Sequence, residues 1–141
     1  MSAAKSRHLA LAYAAWADDR RLAEGEHDAA YTGMLSGVRV HVDTGVRDTG
    51  AYAVVVRIAI ACGPNDVLVK RGGDASPADD RVVAAARALV DERRMIRSVR
   101  LEEDAVEIRL DPGSGGEVIE EAVRRIADAW RSPGRAQAPF R

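Results

Sequence analysis

Strict two-residue alternation is the strongest constraint in this chain. Val38, Val40 and Val42 alternate with Arg39, His41 and Asp43, while Val54, Val56, Ile58 and Ile60 alternate with Val55, Arg57 and Ala59. Val99 and Leu101 share parity with Val106, Ile108 and Leu110 across the charged link Glu102-Glu103-Asp104. Successive side chains of a strand point to opposite faces, so each stretch predicts a strand with one apolar and one polar side. Short links between such strands predict antiparallel hairpins and a sheet wet on one face. The expected strands cover 31–43, 51–61, 67–70, 96–101 and 105–110. Gly33 and Gly37 flank Met34 and Leu35, which predicts a bulge or bend early in the first strand. Turns are expected over 44–50 and 63–66.

Three helices are available to cover the apolar face. The first is expected over 6–23, with Leu9, Ala12, Tyr13, Trp16 and Ala23 on one stripe. The second is expected over 76–94, with Ser76 as the N-cap, Pro77 at the first helical position, and Arg93 and Arg94 complementing the dipole at its end. The third is expected over 117–131, with Ile119, Ala122, Val123, Ile126 and Trp130 on one face. At 141 residues and 47% apolar composition the chain fits one domain with a real core. The prediction is an α+β two-layer sandwich over 1–131, order α-β-β-β-α-β-β-α, followed by an extended or mobile tail over 132–141.

Composition excludes several functions. A net charge of −1, from 21 basic and 22 acidic residues interspersed, provides no basic field for nucleic acid. Lys5, Arg7 and His8 before an apolar run imitate a signal peptide, but Leu9, Tyr13, Trp16 and Arg20 fall at helical spacing, so an amphipathic helix is the expectation. No stretch approaches the ~20 apolar residues of a membrane span, and a cytoplasmic protein is expected. Cys62 is the single cysteine, which excludes an intramolecular disulfide and reads as a buried small hydrophobe.

Catalytic and cofactor constellations are missing from the sequence. His8, His27 and His41 show no metal-ligand spacing, so no metal is expected. Ser36 in Gly33-Met34-Leu35-Ser36-Gly37 misses the nucleophile-elbow pattern by one residue. The loop 111–116 precedes a helix yet lacks the GK[ST] ending of a phosphate loop, and Glu117, Glu120 and Glu121 already place negative charge there. No enzyme activity and no cofactor are expected.

The order of elements, from the helix around Trp16 to the helix ending near Trp130, resembles that of the type III secretion chaperones and their chaperone-like relatives. The resemblance implies a non-enzymatic, homodimeric protein that binds segments of client proteins. Two surfaces fit that expectation. Arg39, His41, Arg57, Arg100 and Arg109 all take the polar parity, against only Asp43 and Glu107, so a protein partner with carboxylates is expected on that face. The second helix is apolar around most of its circumference, which predicts a homodimer contact through Val83, Ala84 and Ala88. The alternative is a small-ligand-binding or sensory module, with its pocket between helix and sheet.

Overall fold

The computed structural model describes residues 3–25, 29–47, 50–51, 53–63, 66–73 and 80–132. The expected cap at Ser76 and Pro77, the residue His27, and the tail from 133 onward lie outside the described residues. The elements are α1 (Ala3–Asp19), β1 (Ala23–Glu24), β2 (Ala30–Leu35), β3 (Val38–Asp43), β4 (Val46–Arg47), β5 (Gly50–Ala51), β6 (Val54–Ile58), β7 (Val67–Lys70), α2 (Arg81–Glu92), β8 (Ile96–Leu101), β9 (Val106–Leu110) and α3 (Gly116–Trp130). Seven strands form one antiparallel sheet in the order β1-β2-β3-β6-β9-β8-β7, and β4 and β5 pair separately as a short ribbon. The α+β expectation holds.

Alternation decides which face is covered. Val38, Val40, Val42, Val54, Val56, Ile58, Val99, Leu101, Val106, Ile108 and Leu110 are all buried. They form one contiguous core with the inner stripes of the three helices. The stripe of α3 is the expected one: Ile119, Ala122, Val123 and Ile126 are fully buried. On α1 the buried line runs through Ser6, Tyr13 and Ala17, with Leu9, Ala10 and Trp16 partly covered, while Ala12 faces outward. Ala23, expected at the end of that helix, lies instead in β1. The helix stops because Arg21 adopts a left-handed backbone (φ 59°), which reverses the chain into the sheet edge.

The single strand expected over 31–43 is two strands. Ser36 (φ 51°) and Gly37 (φ 77°) are both left-handed, the geometry of a two-residue type I′ turn, so β2 folds straight back on β3. Arg131 closes this hairpin by donating from Nη1 to the Ser36 carbonyl at 2.8 Å. Inside it, a Cβ on Gly33 would stand 2.7 Å from Leu22 Cδ2, so Gly33 admits Leu22 to the sheet rather than marking a bulge.

The second helix is shorter than expected. It begins at Arg81 because the Asp80 carboxylate accepts hydrogen bonds from the Val82 and Val83 amides at 2.8 and 3.3 Å. At its other end Arg71 Nη2, not the helix's own arginines, donates to the carbonyls of Val90 and Arg93. Arg93 pairs with Glu121 of α3 at 2.6 Å.

Candidate functional site

The three helices lie on the apolar side of the sheet, and its polar side carries the expected site residues. Cα pairing places Thr32, His41, Arg57, Glu107, Arg100 and Leu68 in one row across β2, β3, β6, β9, β8 and β7. Every second residue of a strand faces the same way, so this row is assembled by register alone. In the next outward row Met34 stands opposite Arg39, whose carbonyl accepts from the Ala59 amide at 2.9 Å. Met34 and Leu68 are 52% and 45% exposed and lie near the two ends of the charged centre.

A groove of about 580 Å³ opens on this face, and Thr32, Arg39, His41, Arg57 and Asp104 supply its polar walls. It holds three of the five basic residues expected to act together. Arg100 and Arg109 lie beyond its lining, toward the β8 side. The pocket anticipated for a small ligand, between helix and sheet, is not where this groove lies; it occupies the opposite, uncovered face.

The face is also less positive than alternation predicts. Arg57 forks between Glu102 (2.9 Å) and Glu107 (3.0 Å), Arg100 pairs with Asp66 (2.8 Å), and Arg109 reaches Glu107 (3.2 Å). The hydrogen bond from Arg57 to Glu102, reinforced by both carboxylates' charge, raises the arginine's pKa further, so it is a fixed cation. Such half-exposed pairs contribute little stability, of order 0–1 kcal/mol each, but they hold the guanidinium in one orientation. Arg39 makes no ion pair among the described residues. Arg57, by contrast, is engaged by two carboxylates in the same groove.

Two kinds of residue were missed from the sequence. Thr32 belongs to the row because β2 is a separate strand, and the Ser36-Gly37 dipeptide was the available signal. Glu102 continues the outward parity of Arg100 and was equally legible. Asp66 and Asp104 reach the face from loops, where no periodicity announces them. Among the described residues, no three His, Cys, Asp or Glu side chains converge as a metal-binding group.

The expected self-association surface is divided. Val83 is 6% exposed and belongs to the core, whereas Ala84 is exposed and Ala88 partly so. Apart from Ala84 and the partly exposed Ala85 and Ala88, the apolar circumference of α2 is covered within the chain, by β7 and β8 on one side and α3 on the other. Burial on two sides therefore requires no second copy.

No family model and no curated protein sequence matches the chain. Among solved structures, the crystal structure of the mycobacterial trehalose monomycolate transport factor A, TtfA, is similar at a TM-score of 0.54 and 16% identity. The similarity covers 89% of this chain and 96% of that one, and it establishes a shared fold.

Proposed function

We propose that this protein is a non-catalytic binding domain whose uncovered sheet face docks a carboxylate-bearing segment of another protein. The observation that carries the reading is the groove on that face, with Arg39 unpaired among the described residues beside Arg57 held rigidly by two glutamates. A guanidinium presents a planar fork of donors that matches a carboxylate, and a preoriented one loses less entropy on binding. Met34 and Leu68 supply aliphatic contacts beside the charged row. The resemblance in element order to secretion chaperones, and the fold shared with a protein described as a transport factor, support an accessory role of this kind. No helix among the described residues is long and apolar enough to cross a membrane; a cytoplasmic location is part of this proposal.

A photo-crosslinking amino acid at Ala59, beside the groove, tests the reading in cells. We expect a discrete protein adduct at Ala59 and none from the same probe at Arg124 on the exposed side of α3. Arg39→Glu should remove the adduct while changing stability by less than about 0.5 kcal/mol, as exposed substitutions do. Adducts from Arg124 alone, or an Ala59 adduct indifferent to Arg39→Glu, would refute the assignment.

The proposal retains homodimerisation through Ala84 and Ala88 as its mode of assembly. Small side chains permit close helix approach, and a glutamate at Ala84 would meet its own copy across a two-fold axis. Ala84→Glu should therefore lower the mass measured by sedimentation equilibrium without unfolding the chain. A wild-type protein that sediments as a monomer at tens of micromolar removes the dimer.

A further inference from the structure

A second polar cavity lies at the other end of the β8–β9 hairpin from the groove. It measures about 420 Å³ and is lined by Lys70, Arg71, Arg94, Arg97 and Asp111, four cations against one carboxylate. In a chain of net charge −1 this is a concentrated local field, not a reflection of composition. Three features build it. Arg71 is pinned by its Nη2, which donates to the carbonyls of Val90, Arg93 and Ile96 at 2.9, 3.1 and 3.1 Å. Arg97 is the extra residue of a bulge: Ile96 pairs with Leu110 and Ser98 with Arg109, leaving Arg97 without a cross-strand partner. A bulge re-aims the side chain it releases, and here Arg97 Nε meets Asp111 Oδ1 at 2.7 Å. Lys70 and Arg94 complete the lining and form no ion pair among the described residues.

We infer that this cavity binds a phosphoryl group, free or esterified. Among the described residues one carboxylate neutralises one of four cations, which leaves three positive charges in the lining for an incoming dianion. A phosphoryl group offers three acceptor oxygens with tetrahedral spread, which suits several guanidinium and ammonium donors arriving from different elements. Asp111 is the internal stand-in: its carboxylate holds Arg97 in place until the ligand's oxygens replace it. The site is separate from the sheet-face groove, and neither proposal depends on the other.

Pyrophosphate, titrated at near-physiological salt and followed by backbone amide shifts, is the direct test. Saturable shifts confined to residues 70–73, 94–98 and the neighbourhood of Asp111 are expected. The double substitution Lys70→Ser with Arg94→Ser should weaken binding about tenfold or more, whereas Arg124→Ser, which removes an exposed charge elsewhere, should not. A second arm uses phosphatidylcholine vesicles containing about one-fifth phosphatidic acid. Co-sedimentation that pyrophosphate competes away assigns an esterified lipid phosphoryl group; pyrophosphate binding without co-sedimentation assigns a soluble ligand. Shifts that do not saturate, or that the double variant and Arg124→Ser affect equally, overturn the site.

Discussion

Gly116→Ala is expected to destabilise the fold by about 3 kcal/mol, opposite in sign to helix propensity. Gly116 opens α3, and alanine normally improves a helix by about 0.5–1 kcal/mol over glycine. Here a Cβ would stand 2.3 Å from Trp16 Cδ1 and 2.5 Å from both Cγ and Nε1. The indole is not free to swing aside. Its Nε1 donates to Glu120 Oε2 at 2.8 Å, and Glu120 Oε1 accepts from Arg20 Nε at 2.7 Å. Moving the ring therefore adds a lost charge-assisted hydrogen bond to the steric cost. Those contacts, Arg20's first, hold the Glu120 carboxyl below its usual range. Its contribution is thus present above the ordinary carboxylate pKa and is lost as pH falls through the depressed value. Urea unfolding of Gly116→Ala, Trp16→Ala and the double variant provides the measurement. The double should cost clearly less than the sum, because removing the indole vacates the space the new methyl needs. A Gly116→Ala protein more stable than wild type would contradict the packing of α1 on α3.

Alkaline pH should remove roughly 3 kcal/mol of stability through Tyr13 alone. The ring is 3% exposed, its hydroxyl donates to the Ser114 carbonyl, and burial pushes the phenol up to about 12 from 10.0. Between those values the unfolded chain releases the proton and the folded chain keeps it. The unfolded state binds fewer protons in that window, so stability falls as pH rises through it and is fully present below pH 10. Tyr13→Phe should cost about 1 kcal/mol near neutrality, by stranding the Ser114 carbonyl, but escape the alkaline loss. The two stability curves should converge above about pH 10 and cross before about pH 12. Tyr31 shifts in the same direction, by burial and then by the charge of Glu24, but is common to both proteins and cancels in the difference. A gap between them that stays constant to the alkaline limit would contradict the buried phenol.

Much of the fold was legible in the residues. The alternation of Val38-Val40-Val42, Val54-Val56-Ile58 and Val106-Ile108-Leu110 appears in the structure as alternating burial, because a one-residue slip would turn every apolar side chain to water. Places where the reading failed have local causes. Ser36-Gly37 looked like a bent strand because glycines flanking Met34 and Leu35 fit a bulge as well as a turn; the left-handed φ of both residues decides for the turn. The start of α2 rests on Asp80, whose carboxylate accepts from the Val82 and Val83 amides, an acid that also fits the first turn of a helix begun earlier. The wide apolar surface of α2 is legible, but a sequence cannot say whether its second cover is another chain or α3, and contacts with α3 supply one such cover within the chain.

The candidate site was half legible for the same reason. Parity alone puts Arg39, His41, Arg57, Arg100 and Arg109 on one face, because side-chain direction in a strand is a local property of the backbone. Which of them remain available to a partner is not local. It depends on Asp66, Glu102 and Glu107 arriving beside Arg100 and Arg57 from 34, 45 and 50 residues away. The basic cavity is wholly a product of tertiary structure. Lys70 and Arg97 come from different strands, Arg94 from the turn after α2 and Asp111 from a loop, and the sheet order and one bulge bring them together. By itself the sequence determined which side chains face water, through short-range periodicity. The tertiary structure decided which charges neutralise one another, because Coulomb attraction acts on distance in space and is indifferent to separation along the chain.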